Sequence, residues 1–201
     1  YQSVIDRERN LEYGGKCVEV VPHIPLEIIR RIENARDVAG ANVVIIEIGG
    51  TVGEYQNMLF LEAARMMKLR DPKGVFFVMV SYLPVPSKVG EMKTKPTQYA
   101  VRTLNASGIQ PDVIIARSNV RLDDKRKEKL SMFCNVPVER VISAPDVDSI
   151  YDIPLNLEKE GLGSLICDVV DMKCGSEDNS KWKTYTNKVH NAKKEVHIAV
   201  I

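Results

Sequence analysis

The segment VFFVMVS, residues 75–81, decides the fold class of this sequence. It is a short apolar run without polar alternation, a pattern typical of a strand that is covered on both faces of a parallel sheet. Similar short runs recur along the chain, and we predict further strands at 17–22 (CVEVVP), 43–48 (VVIIEI), 112–116 (DVIIA) and 140–143 (RVIS).

Amphipathic segments separate these runs, and we predict helices at 25–36, 56–70, 96–107, 123–134 and 148–160. The second of them carries a wide apolar stripe, so its methionines are expected to pack in the core. Strands that alternate with helices predict an α/β fold: a mainly parallel sheet with crossover helices on both faces.

Composition and charge limit the functional classes. The 201 residues are 44% hydrophobic and 27% charged, which is enough for one substantial domain. The net charge is +1, from 28 basic and 27 acidic side chains, so a bulk attraction to nucleic acid or to a membrane is not supported. The apolar runs are far shorter than a membrane span, and we expect a soluble, cytoplasmic protein.

The cysteines and histidines indicate neither a metal site nor a nucleophile. Cys17, Cys134, Cys167 and Cys174 show no C-x-x-C spacing and no histidine in ligand register, so we expect reduced, packed thiols. His23, in VVPHIP, is expected to be a satisfied loop histidine rather than a base.

The chain changes character after residue 170. Residues 171–194 are polar, Lys-rich and weakly periodic, as linkers are, and Trp182 is expected to pin this linker to a surface. Residues 195–201 (EVHIAVI) alternate like a strand. Because the chain begins with Tyr1 and ends within this pattern, we expect an internal piece of a longer polypeptide.

Ligands of open parallel sheets bind at the carboxyl ends of the strands. The residues that follow the predicted strands are rich in glycine and charge: EIGGTVGEYQN (47–57), YLPVPSKVGEMKTKPTQ (82–98), RSN (117–119) and APDVDS (144–149). We therefore expect one ligand-binding edge built from these loops.

The stretch GEMKTKPTQ, residues 90–98, is the best candidate for an anion site. Lys95 precedes Pro96 and should be extended, which would project Lys93 and Lys95 on the same side. Pro96 suits the first position of a helix, whose free N–H groups favour a polyphosphate. The alternative is a pair of solvated surface lysines.

Other charged residues of this edge have two readings each. Glu47 lies in an aliphatic run, where Mg2+ or a basic side chain would have to compensate its burial. Arg117 could contact a ligand or form a structural ion pair, and Asp146 and Asp148 could cap a helix or contact a ligand. Lys129, in DDKRKEKLSMF, is by composition part of a solvated helix face. The segment GGTVGE matches neither a Walker loop nor a Rossmann fingerprint.

Several segments, in order and spacing, closely resemble the amidoligase (synthetase) domain of the CTP synthase family over about residues 1–170: YGGKCVEVVPHI, VVIIEIGGTVGEYQNMLFLEAAR, GEMKTKPTQ, GIQPDVIIARS, EKLSMFCNVP and DVDSIYDIPLNL. The resemblance implies a P-loop NTPase-like architecture, similar to that of dethiobiotin synthetase. It also implies a ligase of pyrimidine biosynthesis that converts UTP to CTP. In this family ATP phosphorylates the uracil 4-oxygen, and ammonia from glutamine displaces the phosphate.

The resemblance also implies roles for individual residues. Those that match the UTP and CTP site are Lys93, Thr94, Lys95, Pro96, Thr97, Gln98 and Lys129. Glu54, Tyr55 and Gln56 match a segment that contacts CTP, Pro145, Asp146 and Val147 match a stretch near the ATP adenine, and Glu47 matches a ligand of the Mg2+ cofactor. Gln56 and Pro145 depart from the family pattern, in which an acidic residue and a lysine are common.

The implied organisation is a carboxy-terminal portion of the amidoligase domain (1–170), an interdomain linker (171–194) and the first strand of a glutaminase domain (195–201). The family's Walker-type loop and second acidic Mg2+ ligand precede the position that Tyr1 matches. We therefore expect this piece alone to be inactive and the family enzyme, a glutamine amidotransferase, to form a homotetramer. Two alternatives stay open: a regulatory nucleotide-binding and oligomerisation module, and a relative of dethiobiotin synthetase.

Overall fold

A computed structural model describes residues 1–88, 90–173 and 178–200. In these ranges the chain forms eight helices and a small sheet of three strands. The helices are α1 (Gln2–Arg9), α2 (Val20–Ala39), α3 (Met58–Arg70), α4 (Lys95–Ala106), α5 (Asp124–Cys134), α6 (Ile153–Lys159), α7 (Leu162–Val169) and α8 (Ser180–His190). The strands are β1 (Val78–Tyr82), β2 (Val113–Ser118) and β3 (Val141–Pro145), and short 3-10 turns cover Tyr55–Asn57, Val138–Arg140 and Ile150–Asp152.

The sheet is parallel, in the order β1-β2-β3. Val80 pairs with Ile115, and Ile115 pairs with Ile142, so the order of the three strands in the sheet is the same as their order in the sequence. Helix α4 connects β1 to β2, and helix α5 connects β2 to β3. The α/β class with a parallel sheet is therefore confirmed, and the three later strand predictions each fall on an observed strand.

The core lies where α4 and α5 meet the sheet. Val101 of α4 and Leu130 of α5 are at most 1% exposed, and Ile114 of the central strand is fully buried between them and their neighbours. Burying such side chains contributes about 1.5–3 kcal/mol each relative to exposure. This packing fixes the starts of α4 and α5 relative to the carboxyl ends of β1 and β2.

The two earlier strand predictions are wrong. Residues 17–19 have no regular structure and Val20 begins α2, while residues 43–48 form no strand. Side chains at 43–47 are exposed, and Ile45 is 94% exposed. An apolar run becomes a strand only where another strand offers hydrogen bonds, and among the described residues the sheet consists of β1–β3 alone.

The predicted linker contains helix α8. Trp182 anchors it, because its indole Nε1–H donates to the Tyr151 carbonyl oxygen at 2.9 Å and its ring lies against those of Tyr151 and Tyr185. The expected docking of Trp182 on a surface is confirmed. Residues 192–200 form neither helix nor strand, and the division of the chain into domains stays a prediction.

A buried carboxylate joins the first two helices. The Glu27 side chain is 7% exposed and accepts from Arg30 Nε at 2.8 Å and from Arg31 Nε at 2.9 Å, while Arg7 of α1 lies 3.4 Å away. The Arg30 hydrogen bond is the main cause that lowers the pKa of Glu27 to about 2, with Arg31 adding to it against the cost of burial. This cluster had no signal in the sequence beyond the i, i+3 and i+4 spacing.

The thiols differ from one another. Cys134 is buried and reduced, as expected, and burial raises the pKa of its thiol to about 11. Cys17 is reduced but exposed, and Cys167 takes part in a disulfide, so the expectation of four packed thiols is wrong for these two. Cys174 lies outside the described residues.

In the described ranges, no helix combines the length and apolar content needed to cross a bilayer.

Candidate functional site

A small cleft lies between the start of α4 and the first turns of α5. Its volume is about 90 Å3, and we call it the cationic cleft. It is lined by Glu91, Met92, Thr94, Lys125, Arg126 and Lys129. Thr94 and Lys129, which are more than thirty residues apart in the sequence, are thus brought together.

The local structure of residues 90–98 differs from the expectation. Helix α4 begins at Lys95, with Thr94 as its N-cap, so Pro96 occupies the second helical position. Lys95 is helical rather than extended, because the Gln98 N–H donates to the Thr94 carbonyl oxygen at 3.1 Å and winds the first turn around it. The prediction that Lys93 and Lys95 extend from one strand-like segment is wrong.

Buried hydroxyl groups hold this helix start against the sheet. Thr97 is fully buried, and its Oγ1 lies 2.8 Å from the Ser81 Oγ of β1 in a hydrogen bond. Gln98 is also buried, and its Nε2 donates to Thr94 Oγ1 at 3.1 Å. Thr97 and Gln98 therefore position the helix start, and the fully buried Thr97 does not line the cleft.

The charges around the cleft converge on Glu91. Lys93 Nζ lies 2.7 Å from Glu91 Oε2, and Arg126 Nη2 lies 3.8 Å from Glu91 Oε1. The Lys93 hydrogen bond is the main cause that lowers the pKa of Glu91, and the charges of Arg126 and Lys129 act in the same direction. The structure thus places Lys93 beside the cleft through its contact with Glu91.

Sequence reasoning missed Lys125 and Arg126. Both belong to the charged start of α5, which composition favours as a solvated face. Asp123 caps this helix, since its side chain accepts from the Arg126 backbone N–H and pairs with the Arg126 guanidinium. The signal that could have found them is the capping aspartate, which marks the start of α5 and places both residues in its first turn.

The loop before α3 carries the predicted CTP-contacting segment. Glu54 accepts from the Thr51 N–H at 2.9 Å and from Gln56 Nε2 at 2.9 Å, and the Thr51 contact is the main cause that lowers its pKa. Gly53 has a φ of +96°, and a Cβ there would lie 3.0 Å from the Thr103 methyl of α4. Tyr55 is 91% exposed. None of Glu54, Tyr55 and Gln56 lines the cationic cleft.

Glu47 is exposed and lies outside any strand. The expectation that it sits in a buried aliphatic strand and needs a compensating charge is therefore wrong. Over residues 1–88, 90–173 and 178–200, no group of three or more His, Cys, Asp and Glu side chains is arranged to hold a metal ion.

A larger cleft of about 340 Å3 lies beyond the end of β3, and we call it the β3 cleft. Asp146 and Val147 line it, whereas Pro145, the last residue of β3, does not. Arg117 Nη2 lies 3.1 Å from Asp146 Oδ1, which is the structural ion pair that the sequence left open. The remaining lining residues are Asp148, Asp152, Leu155, Asn156, Lys159 and His190.

His190 was missed because it belongs to the predicted linker. The structure brings it to the β3 cleft on α8, with Nε2 at 2.9 Å from both carboxylate oxygens of Asp152. His23 lies at the start of α2 rather than in a loop, and its Nδ1 accepts from the Glu19 N–H at 3.0 Å. The prediction that His23 is a satisfied histidine is confirmed.

Comparison with known proteins gives a consistent result. A family model described as "CTP synthase N-terminus" matches residues 1–172. The chain is 48% identical to CTP synthase of Thermococcus gammatolerans, 46% identical to that of Pyrococcus horikoshii and 42% identical to that of Nostoc punctiforme. All of this chain is covered in each match, but only 37–38% of the relative's length.

Proposed function

This chain belongs to the CTP synthase N-terminus family, and on that premise we propose that it supplies nucleotide-binding parts of an enzyme that makes CTP from UTP. In the proposed reaction, ATP phosphorylates the uracil 4-oxygen and glutamine-derived ammonia then displaces the phosphate. A glutaminase domain supplies the ammonia, and the working assembly is a cytoplasmic homotetramer. Because the chain spans 37–38% of its relatives' length, each of these statements is a proposal for the intact protein.

The cationic cleft is the observation that carries the proposal. Lys125, Arg126 and Lys129 line it and Lys93 lies beside it, although the chain as a whole has a net charge of only +1. A local cluster of this kind suits a compact polyanion such as the triphosphate of UTP or CTP. Lys95 and the free N–H groups of the first turn of α4 add to the attraction.

The residues of the proposed UTP and CTP site have two roles, phosphate binding and positioning of the helix start. Lys93, Lys95 and Lys129 bind phosphate oxygens, whereas Thr94, Pro96, Thr97 and Gln98 set the position of the helix start. Glu54, Tyr55 and Gln56 provide polar and aromatic groups for the cytosine of CTP. Phosphoryl transfer needs positioning and charge stabilisation more than a protein base, so a site without a general base suits this chemistry.

We place the adenine of ATP in the β3 cleft. Asp146 offers carboxylate oxygens that can accept from an amino group, and Val147 offers an apolar surface for a ring. Pro145 would act only through its backbone. The proposed architecture around both clefts is P-loop NTPase-like, and the observed parallel strands with crossover helices are consistent with it.

Glu47 fits Mg2+ as one ligand among several. Mg2+ prefers carboxylate oxygens and is usually held by one or two of them, with substrate phosphates and water completing the shell. Glu47 is an exposed carboxylate just before the loop that carries Glu54, so it offers such an oxygen. When bound, the ion would neutralise charge on the transferred phosphoryl group.

The test is a synthesis assay on the intact protein. UTP, ATP, Mg2+ and glutamine are supplied together, and the conversion of the uracil ring to a cytosine ring is followed by its ultraviolet spectrum. We expect CTP to form and to require all four components. A protein that is folded and binds ATP but forms no CTP with ammonia or glutamine would overturn the proposal.

A further inference from the structure

We propose that Glu91 is an internal competitor for the cationic cleft: its carboxylate occupies a phosphate-binding position and must be displaced when a polyphosphate binds. This inference rests on the proposed function in that the polyphosphate is taken to be the tail of UTP or CTP. The residue would therefore lower the affinity of the site for phosphate chains.

The contacts of Glu91 carry the inference. One carboxylate oxygen lies 2.7 Å from Lys93 Nζ, and the other lies 3.8 Å from Arg126 Nη2. Arg126 and Glu91 line the cleft together with Lys125 and Lys129, and Lys93 lies beside the cleft through its contact with Glu91. A carboxylate on two cations from different elements makes the contacts that a phosphate oxygen would make.

Exposure allows the exchange. The side chain of Glu91 is 58% exposed and that of Lys93 is 41% exposed, so the ion pair lies in high dielectric and is weak. Glu91 precedes helix α4. Within the part of the chain that the structure describes, no backbone N–H donates to its side chain, so the carboxylate is able to move away from Lys93. A phosphate group carries more charge than a carboxylate and can replace it on the same cations.

The competition has a consequence for affinity. Every phosphate chain that takes this position must displace the carboxylate, so the competition lowers each affinity by a common factor. Removing the carboxylate should therefore raise the affinity for tripolyphosphate, UTP and UMP alike.

The experiment is a calorimetric titration of the intact protein with inorganic tripolyphosphate, UTP and UMP at low and at high salt. We expect Glu91→Gln to tighten tripolyphosphate and UTP binding about two- to fivefold at low salt, with a smaller gain at high salt because of screening. Glu33→Gln is the matched control, since Glu33 is an exposed glutamate of α2 that does not line the cleft, and it should change nothing.

The outcomes separate the two proposals. If Glu91→Gln leaves tripolyphosphate affinity unchanged or weakens it, Glu91 instead positions Lys93 and the inference is wrong. If wild-type protein binds tripolyphosphate and Glu91→Gln tightens that binding, but UTP binds no more tightly than tripolyphosphate, the inference stands and the pyrimidine assignment fails. Absence of tripolyphosphate binding by the wild-type protein would overturn both.

Discussion

His190 Nε2 lies 2.9 Å from Asp152 Oδ1, and this contact joins helix α8 to the rim of the β3 cleft. Together with the Trp182 hydrogen bond to Tyr151, it holds the carboxy-terminal helix on the segment that follows β3. A helix that sequence composition treats as linker thus becomes a wall of a candidate nucleotide site.

Replacing Trp182 should release α8. The Trp182→Ala variant loses the indole hydrogen bond and the ring contacts with Tyr151 and Tyr185, which together contribute about 1–2 kcal/mol to docking. We expect faster hydrogen exchange and proteolysis at residues 180–190, with the sheet unchanged. Lys188→Ala, an exposed change on the same helix, is the control. Hydrogen-exchange protection of residues 180–190 in Trp182→Ala that equals the wild-type protection would contradict the prediction.

Acid should weaken the α1–α2 cluster. The pKa of Glu27 is about 2 in the folded protein against 4.5 for an ordinary glutamate, so the unfolded state takes up its proton first as the pH falls. The contribution is complete above pH 4.5 and is lost between there and about pH 2. Glu27→Gln should lower the free energy of unfolding at pH 7 by about 2–3 kcal/mol.

Denaturant unfolding at pH 7 and at pH 3 measures this effect. Glu27→Gln should show a smaller loss of stability between the two values than the wild-type protein does. Glu33→Gln, an exposed change on the same helix, should behave like wild type. A pH dependence that is identical in the Glu27 variant and in wild type would refute the assignment.

Lys129 should contribute to nucleotide affinity through charge. We expect Lys129→Ala to weaken binding of UTP and CTP about three- to tenfold at low salt, and the loss should shrink as salt rises. Lys129→Arg should retain most of the affinity, whereas Lys159→Ala, at the β3 cleft, should leave UTP binding unchanged. Isothermal titration gives the dissociation constants, and a Lys129→Ala protein with wild-type affinity at low salt would exclude the role.

The Ser81–Thr97 hydrogen bond should couple the sheet to the helix start. Thr97→Val keeps the shape but leaves the Ser81 hydroxyl without its partner, and we expect a loss of about 1–2 kcal/mol of stability. Ser81→Ala should lower the free energy of unfolding by less in the Thr97→Val protein than in the wild-type protein. The difference between the two losses is the coupling energy given by the double-mutant cycle. Additive losses would mean that the two hydroxyls do not interact.

The 201-residue chain by itself should not make CTP. It spans 37–38% of the length of its relatives, and we expect the ATP-dependent and glutamine-dependent steps to need the rest. The assay is the ultraviolet change of UTP in the presence of ATP, Mg2+ and ammonia. Conversion by this chain alone, at a rate similar to that of a full-length relative, would contradict the expectation.

Part of the fold could be predicted because apolar runs and helical periodicity are local properties. The strands at 78–82, 113–118 and 141–145 and the helices between them follow from such patterns. The run at 43–48 has the same pattern and forms no strand, because a strand depends on a partner that its own residues do not specify.

The candidate site shows the same limit. Thr94 and Lys129 could be placed together only through the family resemblance, since composition favours a solvated face for Lys129. His190 could not be found at all, because its contact arises from the docking of α8, and for Arg126 the one local signal was the Asp123 cap. Glu47 was misjudged since burial was inferred from the apolar run before it, residues 43–46, which is itself exposed.

The Lys93 N–H donates to the Pro84 carbonyl oxygen at 2.9 Å, so the chain leaves the end of β1 and returns to nearly the same point. Residues 86–88 are exposed and lie between these two hydrogen-bonded residues in the sequence. This segment can therefore carry a label while the backbone of Lys93 keeps its place. Such a label would lie in the same loop as Glu91, which lines the cationic cleft.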